Sequence, residues 1–130
     1  MPDGLNKIML VEDDAQIAFM TVMALEDLGG FEVMHCDNGQ AALDNFDAFA
    51  PQIVLMDVMM PGIDGPETLK ALRINPLART VPVVFMTAKV QPHQQQGYFD
   101  LGAVGVIAKP FDPMTLSDRV VGLWQAAQAS

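Results

Sequence analysis

Four stretches of this chain, KIMLV (7–11), IVLM (53–56), VVFM (83–86) and VGVIA (104–108), are apolar almost throughout and rich in branched side chains. A strand with one face in water alternates polar and apolar groups, whereas a strand covered on both faces does not. The four stretches therefore read as strands buried on both sides, and this constrains the fold more than any other feature. FEVMHC (31–36) is different. Phe31, Val33 and His35 take one face and Glu32, Met34 and Cys36 the other, a mixed pattern that suits an edge strand.

The intervening segments have helical spacing. Residues 15–28 place Ile17, Thr21, Ala24, Leu25 and Leu28 on one stripe, and Gly29-Gly30 supplies a stop. Segment 39–48 carries Ala42 and Phe46 behind Asn38, which is placed to cap it. Pro66 suits the first position of a helix running to about Ile74. Asp112-Pro113 opens the last helix in the same way, with Leu116, Val120, Leu123 and Trp124 as its buried stripe. Segment 92–101 has the weakest helical pattern, because QPHQQQGYF is polar and broken by Gly97.

Strands alternating with helices in this way predict an α/β fold, a parallel sheet covered on both faces by right-handed crossovers. In such sheets ligands bind beyond the carboxyl ends of the strands. The residues just past each apolar run are therefore informative. The first run leads into Glu12-Asp13-Asp14 and the third strand into Asp57. The fourth ends in Thr87-Ala88, and Lys109-Pro110-Phe111 comes after the fifth.

Composition narrows the function. A chain of 130 residues reads as a single domain, 1–130, with its core over about 7–124. No apolar run approaches the roughly 20 residues needed to span a bilayer. MPDGLNKIMLVEDD has no basic region or cleavable apolar segment, so no secretory signal is read. Cys36 is the only cysteine, which excludes an intramolecular disulfide and fits a cytoplasmic location. The net charge of −9 argues against direct nucleic-acid or membrane binding and suits a site that holds a cation.

Glu12, Asp13 and Asp57 come within a few ångströms of one another if the first and third strands are neighbours. Three carboxylates at that range repel, so one takes up a proton unless a cation is present. Mg²⁺ meets this need with oxygen ligands and bound waters. It also suits phosphoryl transfer, in which Asp57 acts as the nucleophile and forms an aspartyl phosphate. Lys109 and Thr87 supply the positive charge and hydroxyl donor for the phosphoryl oxygens.

LVEDDA, MDVMMPGIDG, FMTA and IAKPFDP, in this order and at these intervals, resemble the receiver domain of two-component response regulators, from about Lys7 to Trp124. The resemblance implies a five-stranded doubly wound sheet of order 2-1-3-4-5. It implies that Asp57 is the phosphoacceptor, served by a sensor histidine kinase or a histidine phosphotransfer protein. It further implies that Asp13 ligates Mg²⁺ directly, Glu12 through water, and Met59 through its backbone carbonyl. Thr87 and Lys109 would bind the phosphoryl oxygens, and the Lys109–Pro110 bond would be cis. One position departs from the commonest pattern: Val106 stands where many receivers carry an aromatic ring that turns inward on activation. The loop from Ala88 to Pro92 is then expected to carry more of the switch. Only six residues come after Trp124, so output is expected through protein–protein contact on the surface of the fourth helix, fifth strand and fifth helix. No enzymatic role beyond the chain's own phosphorylation and dephosphorylation is expected. The chain is equally readable as an excised fragment or a phosphorelay intermediate.

Two other classes of function compete. Haloacid-dehalogenase-type phosphatases also use a strand-end aspartate with Mg²⁺, but need a second aspartate two residues on, where this chain has Met59. A pseudo-receiver acting only as a binding module is the other, against which stand Asp13, Asp57, Thr87 and Lys109. Single residues also have plainer readings. Acidic groups favour helix starts, so Glu12-Asp13-Asp14 alone fits a solvated N-terminus, and Asp14 reads as an N-cap. His35 and His93 read as surface histidines, and the ten methionines as core filler. Trp124 is expected to pack the last helix onto the sheet.

Overall fold

The computed structural model describes residues 4–129. Five strands form one parallel sheet: β1 (Lys7–Val11), β2 (Glu32–Cys36), β3 (Ile53–Asp57), β4 (Val83–Thr87) and β5 (Gly105–Ala108). Their order is β2-β1-β3-β4-β5, which puts FEVMHC at an edge. The helices are α1 (Ala15–Met23), α2 (Gly39–Phe49), α3 (Gly65–Ile74), α4 (Pro92–Asp100) and α5 (Leu116–Ala129).

Alternate residues of the central strands enter two cores. Met9, Val11, Val54 and Phe85 meet Ala42, Phe46 and Leu72 on one face. Ile8, Leu10, Leu55 and Met86 meet Leu25, Val120 and Trp124 on the other. Continuous apolar runs in β1, β3 and β4 are therefore required by burial on both faces. VGVIA departs from that reading: β5 is the other edge strand, so Val106 and Ala108 are only half-buried and Val104 is exposed. The edge strand divides as its pattern predicts, with Val33 packed on the α5 side and Met34 and Cys36 on the α2 side.

Local chemistry sets most helix starts. Asp14 accepts from the N–H groups of Gln16 (2.9 Å) and Ile17 (3.0 Å), and Asn38 accepts from that of Ala41 (2.7 Å). Both are N-caps, which satisfy donors left open at a helix start. In α3, Asp64 and Glu67 cap each other reciprocally, at 2.8 and 3.0 Å, so Pro66 takes the second helical position rather than the first.

The structure revises several expectations. Leu28 is 58% exposed, and Ala18 is buried instead. The α-helix gives way at Ala24 to a π-helical turn over Ala24–Leu28, whose wider turn carries Leu28 off the buried stripe. The last helix starts at Leu116, because Asp112 first closes a turn: its carboxylate accepts from Met114 N–H (2.9 Å) and its carbonyl from Thr115 N–H (3.1 Å). Polar segment 92–101 does form α4, but buries no side chain. Nor are the methionines uniformly core: Met9, Met56, Met60 and Met86 are buried, while Met20, Met23, Met59 and Met114 are exposed. No described helix is long and apolar enough to cross a membrane.

Candidate functional site

Parallel register brings the ends of β1, β3, β4 and β5 to a common rim, since Val11 pairs with Met56, Asp57 with Met86, and Thr87 with Ala108. Glu12 and Asp13 leave β1 there, Asp57 ends β3, Thr87 ends β4, and Lys109 lies just past β5. One carboxylate oxygen from each of Glu12, Asp13 and Asp57 lies within 4.8 Å of the others. Asp13 is exposed, Asp57 is half-buried, and Glu12 is 1% exposed.

Lys109 bridges two of these acids, with Nζ 2.5 Å from Glu12 Oε1 and 3.3 Å from Asp57 Oδ1. One ammonium thus contacts two of the three carboxyl groups, and the cluster holds more acids than cations. Burial pushes the Glu12 carboxyl up from 4.5 to about 7; Lys109 and the Asp14 N–H oppose the rise, and Asp57 adds to it. Glu12 is the most buried of the three acids.

This shift has a measurable consequence for stability. Between about 4.5 and 7 the folded chain holds a proton on Glu12 that the unfolded chain has released. Stability in the absence of divalent metal should therefore fall as pH rises through that window, by up to roughly 3 kcal/mol. Glu12→Gln should flatten the dependence in chemical denaturation at fixed ionic strength with a chelator. An unchanged slope in the variant would rule Glu12 out as its source.

Around the acids, several loop groups are hydrogen-bonded. Thr87 is 5% exposed, and its Oγ1 accepts from Lys89 N–H (3.0 Å), which leaves its own proton to donate. The Lys109 N–H donates to the Thr87 carbonyl (3.0 Å), and the Lys109–Pro110 peptide is cis. Met59 lies two residues past Asp57 and is 64% exposed; Lys89 Nζ is 3.9 Å from its sulfur. Gly65 donates its N–H to Val58 (2.8 Å), and a Cβ there would lie 2.5 Å from the Asp57 carbonyl, so only glycine permits this approach. GIDGP signals a turn, but nothing local in it shows that its second glycine packs on Asp57. Val106 is half-buried.

His35 is exposed, as its reading as a surface histidine expects, and makes one contact that the sequence does not show. His35 Nε2 lies 2.8 Å from the Glu12 carbonyl. Cys36 is buried, and burial, with Asp37, pushes its thiol up, which keeps it protonated and unreactive. Among the described residues, no other group of three metal-ligating side chains matches the acidic one.

A doubly wound parallel sheet with its acidic cluster at the carboxyl edge belongs to the flavodoxin-like class of α/β proteins. Within that class the resemblance is specific. The family described as the response regulator receiver domain matches residues 8–121. Response regulator Rre1 of Synechocystis is 33% identical over 123 residues, covering 95% of this chain and 53% of that protein. The phosphate regulon transcriptional regulatory protein PhoB of Escherichia coli is 32% identical over 115 residues, covering 88% of this chain and 50% of PhoB. Chemotaxis protein CheY4 of Vibrio cholerae has a TM-score of 0.85 at 29% identity, covering 92% of this chain and 99% of CheY4. The chain belongs to the receiver-domain family of two-component response regulators. It spans about half the length of the curated relatives it matches.

Proposed function

We propose that this chain is a phosphoacceptor that takes a phosphoryl group onto Asp57 in a Mg²⁺-dependent reaction. The observation that carries the reading is the convergence of Glu12, Asp13 and Asp57 within 4.8 Å, with Lys109 against two of them. These are hard oxygen donors in a cluster with surplus negative charge, which fits Mg²⁺. Asp13, Asp57 and the Met59 carbonyl would hold it, with Glu12 acting through water. Bound there, Mg²⁺ would offset the repulsion between the Asp57 carboxylate and an anionic phosphoryl group.

The residues divide the remaining work. An Asp57 oxygen attacks phosphorus as the bond from phosphorus to the donor's imidazole nitrogen breaks, and the leaving nitrogen keeps that electron pair and takes a proton from solvent. Lys109, already 3.3 Å from Asp57, follows the charge onto the phosphoryl oxygens, and Thr87 donates its hydroxyl proton to one of them. The donor would be a sensor histidine kinase or a histidine phosphotransfer protein. Its approach would cover a groove of about 410 Å³ between Ile17, Met20, Ala88 and Phe111, which Lys109 also lines. The phosphatase alternative is not favoured, because the family match is to receivers and Met59 cannot act as a general acid. The single test is intact-protein mass after acetyl phosphate: a gain with Mg²⁺ that a chelator removes supports the reading, and no gain sinks it.

We propose that the signal leaves mainly through the loop before α4 and α4 itself. This helix buries no side chain, and Tyr98 ties it to β4 by a ring contact with Phe85 at 5.3 Å. Few buried contacts mean low local stability, so a modest change at Thr87 can shift the segment. Phe99 and Val104 are exposed beside it, on the proposed output surface of α4, β5 and α5. Beryllofluoride with Mg²⁺ should change amide exchange mainly over 88–100. Changes confined to 104–108 would show that the half-buried Val106 strand carries the signal instead.

A further inference from the structure

The acidic loop is tethered to the edge strand by a side chain that takes no part in the phosphoryl chemistry. We infer that His35 is a positioning residue for Asp13, through the hydrogen bond from its Nε2 to the Glu12 carbonyl. The inference rests on the Mg²⁺ reading above, since it assigns a means of orienting the direct ligand.

Glu12 is held at both ends of its backbone by the end of β2. Its N–H donates to the Cys36 carbonyl at 3.0 Å, continuing the ladder in which Leu10 lies opposite His35 and Val11 opposite Cys36. Its carbonyl takes the 2.8 Å bond from His35. A carbonyl can only accept, so the ring nitrogen must donate, which places the proton on Nε2. That carbonyl belongs to the peptide joining Glu12 to Asp13, and a peptide unit is planar. Fixing its oxygen therefore fixes the direction in which the chain enters Asp13. On the other side, the Asp14 N–H donates to Glu12 Oε2 (3.2 Å), and Asp14 is committed to capping α1.

Asp13 itself is exposed, so packing does little to aim it. Its orientation is inherited from the anchored residues on either side. Mg²⁺ demands near-ideal ligand geometry, and groups that orient its ligands from behind influence affinity strongly. His35 is also exposed, so replacing it removes this tether without opening a cavity in either core.

The experiment compares Mg²⁺ binding by calorimetry in the unmodified chain, His35→Ala, His35→Gln and Asp13→Ala, with thermal midpoints measured on the metal-free proteins. His35→Ala should weaken Mg²⁺ roughly fivefold, the scale of one hydrogen bond. His35→Gln, whose amide N–H reaches about as far as Nε2, should recover most of the affinity. Midpoints of the two variants should agree. Equal affinity in the unmodified chain and His35→Ala, with binding lost in Asp13→Ala, would overturn the role of His35 and leave the metal site standing. Equal losses in both His35 variants would overturn it too, because the donated hydrogen bond would not be the cause. No binding in the unmodified chain would remove the metal reading and this inference together.

Discussion

Asp57→Asn should abolish the mass gain of about 80 Da that one phosphoryl group adds when the chain meets a small-molecule phosphodonor and Mg²⁺. The amide keeps the carboxylate's shape but has no anionic oxygen to attack phosphorus. The fold should survive. Asp57 is half-buried at the end of β3, so the isostere opens no cavity. It also removes one of the acids crowded against Glu12, whose carboxyl Asp57 helps to raise. Stability without metal should therefore hold or rise slightly, even as Lys109 loses its 3.3 Å partner. Intact-protein mass spectrometry with a matched denaturation curve separates loss of the acceptor from loss of the fold. A full mass gain in the variant would put the acceptor on another residue.

Asp13→Ala should have the second largest effect, a loss of Mg²⁺ affinity of about tenfold or more, with phosphorylation slowed in step. The charge and the direct ligand leave together, so Asp57, a carbonyl and water must hold the ion. Asp13 is exposed, and its removal costs the core nothing. Because one of three mutually repelling carboxylates is gone, metal-free stability should be equal or higher. Calorimetric titration with Mg²⁺, beside thermal midpoints in chelator, reads both arms. An unchanged affinity would exclude Asp13 as a ligand, and lost affinity with a collapsed midpoint would make its role structural.

Much of the fold was legible because its signals are local. Consecutive apolar residues in IVLM and VVFM report burial on both faces whatever the helices above them do, and mixed FEVMHC reports an edge. Asp14 and Asn38 cap helices by bonds to residues two or three positions on, within reach of any reading of the chain. Leu28 was misplaced because a π-helical turn interrupts a pattern that assumes a constant angle per residue. The start of α5 was misplaced because Asp112 serves equally well to cap a helix or to close a turn.

By itself, the sequence determined which residues arrive at the rim. Strand direction and period are properties of short segments, and they put Glu12, Asp13, Asp57, Thr87 and Lys109 at the carboxyl ends. The tertiary structure alone decided what each meets there. Lys109 reaches Glu12 across 97 positions, and His35 reaches the Glu12 carbonyl across 23. The raised Glu12 carboxyl also depends on that packing, for Glu12 and Asp13 are adjacent and both acidic. One is enclosed and pushed up to about 7, while the other stands in solvent. Desolvation depends on what surrounds a group in space, and neighbours along the chain do not report it.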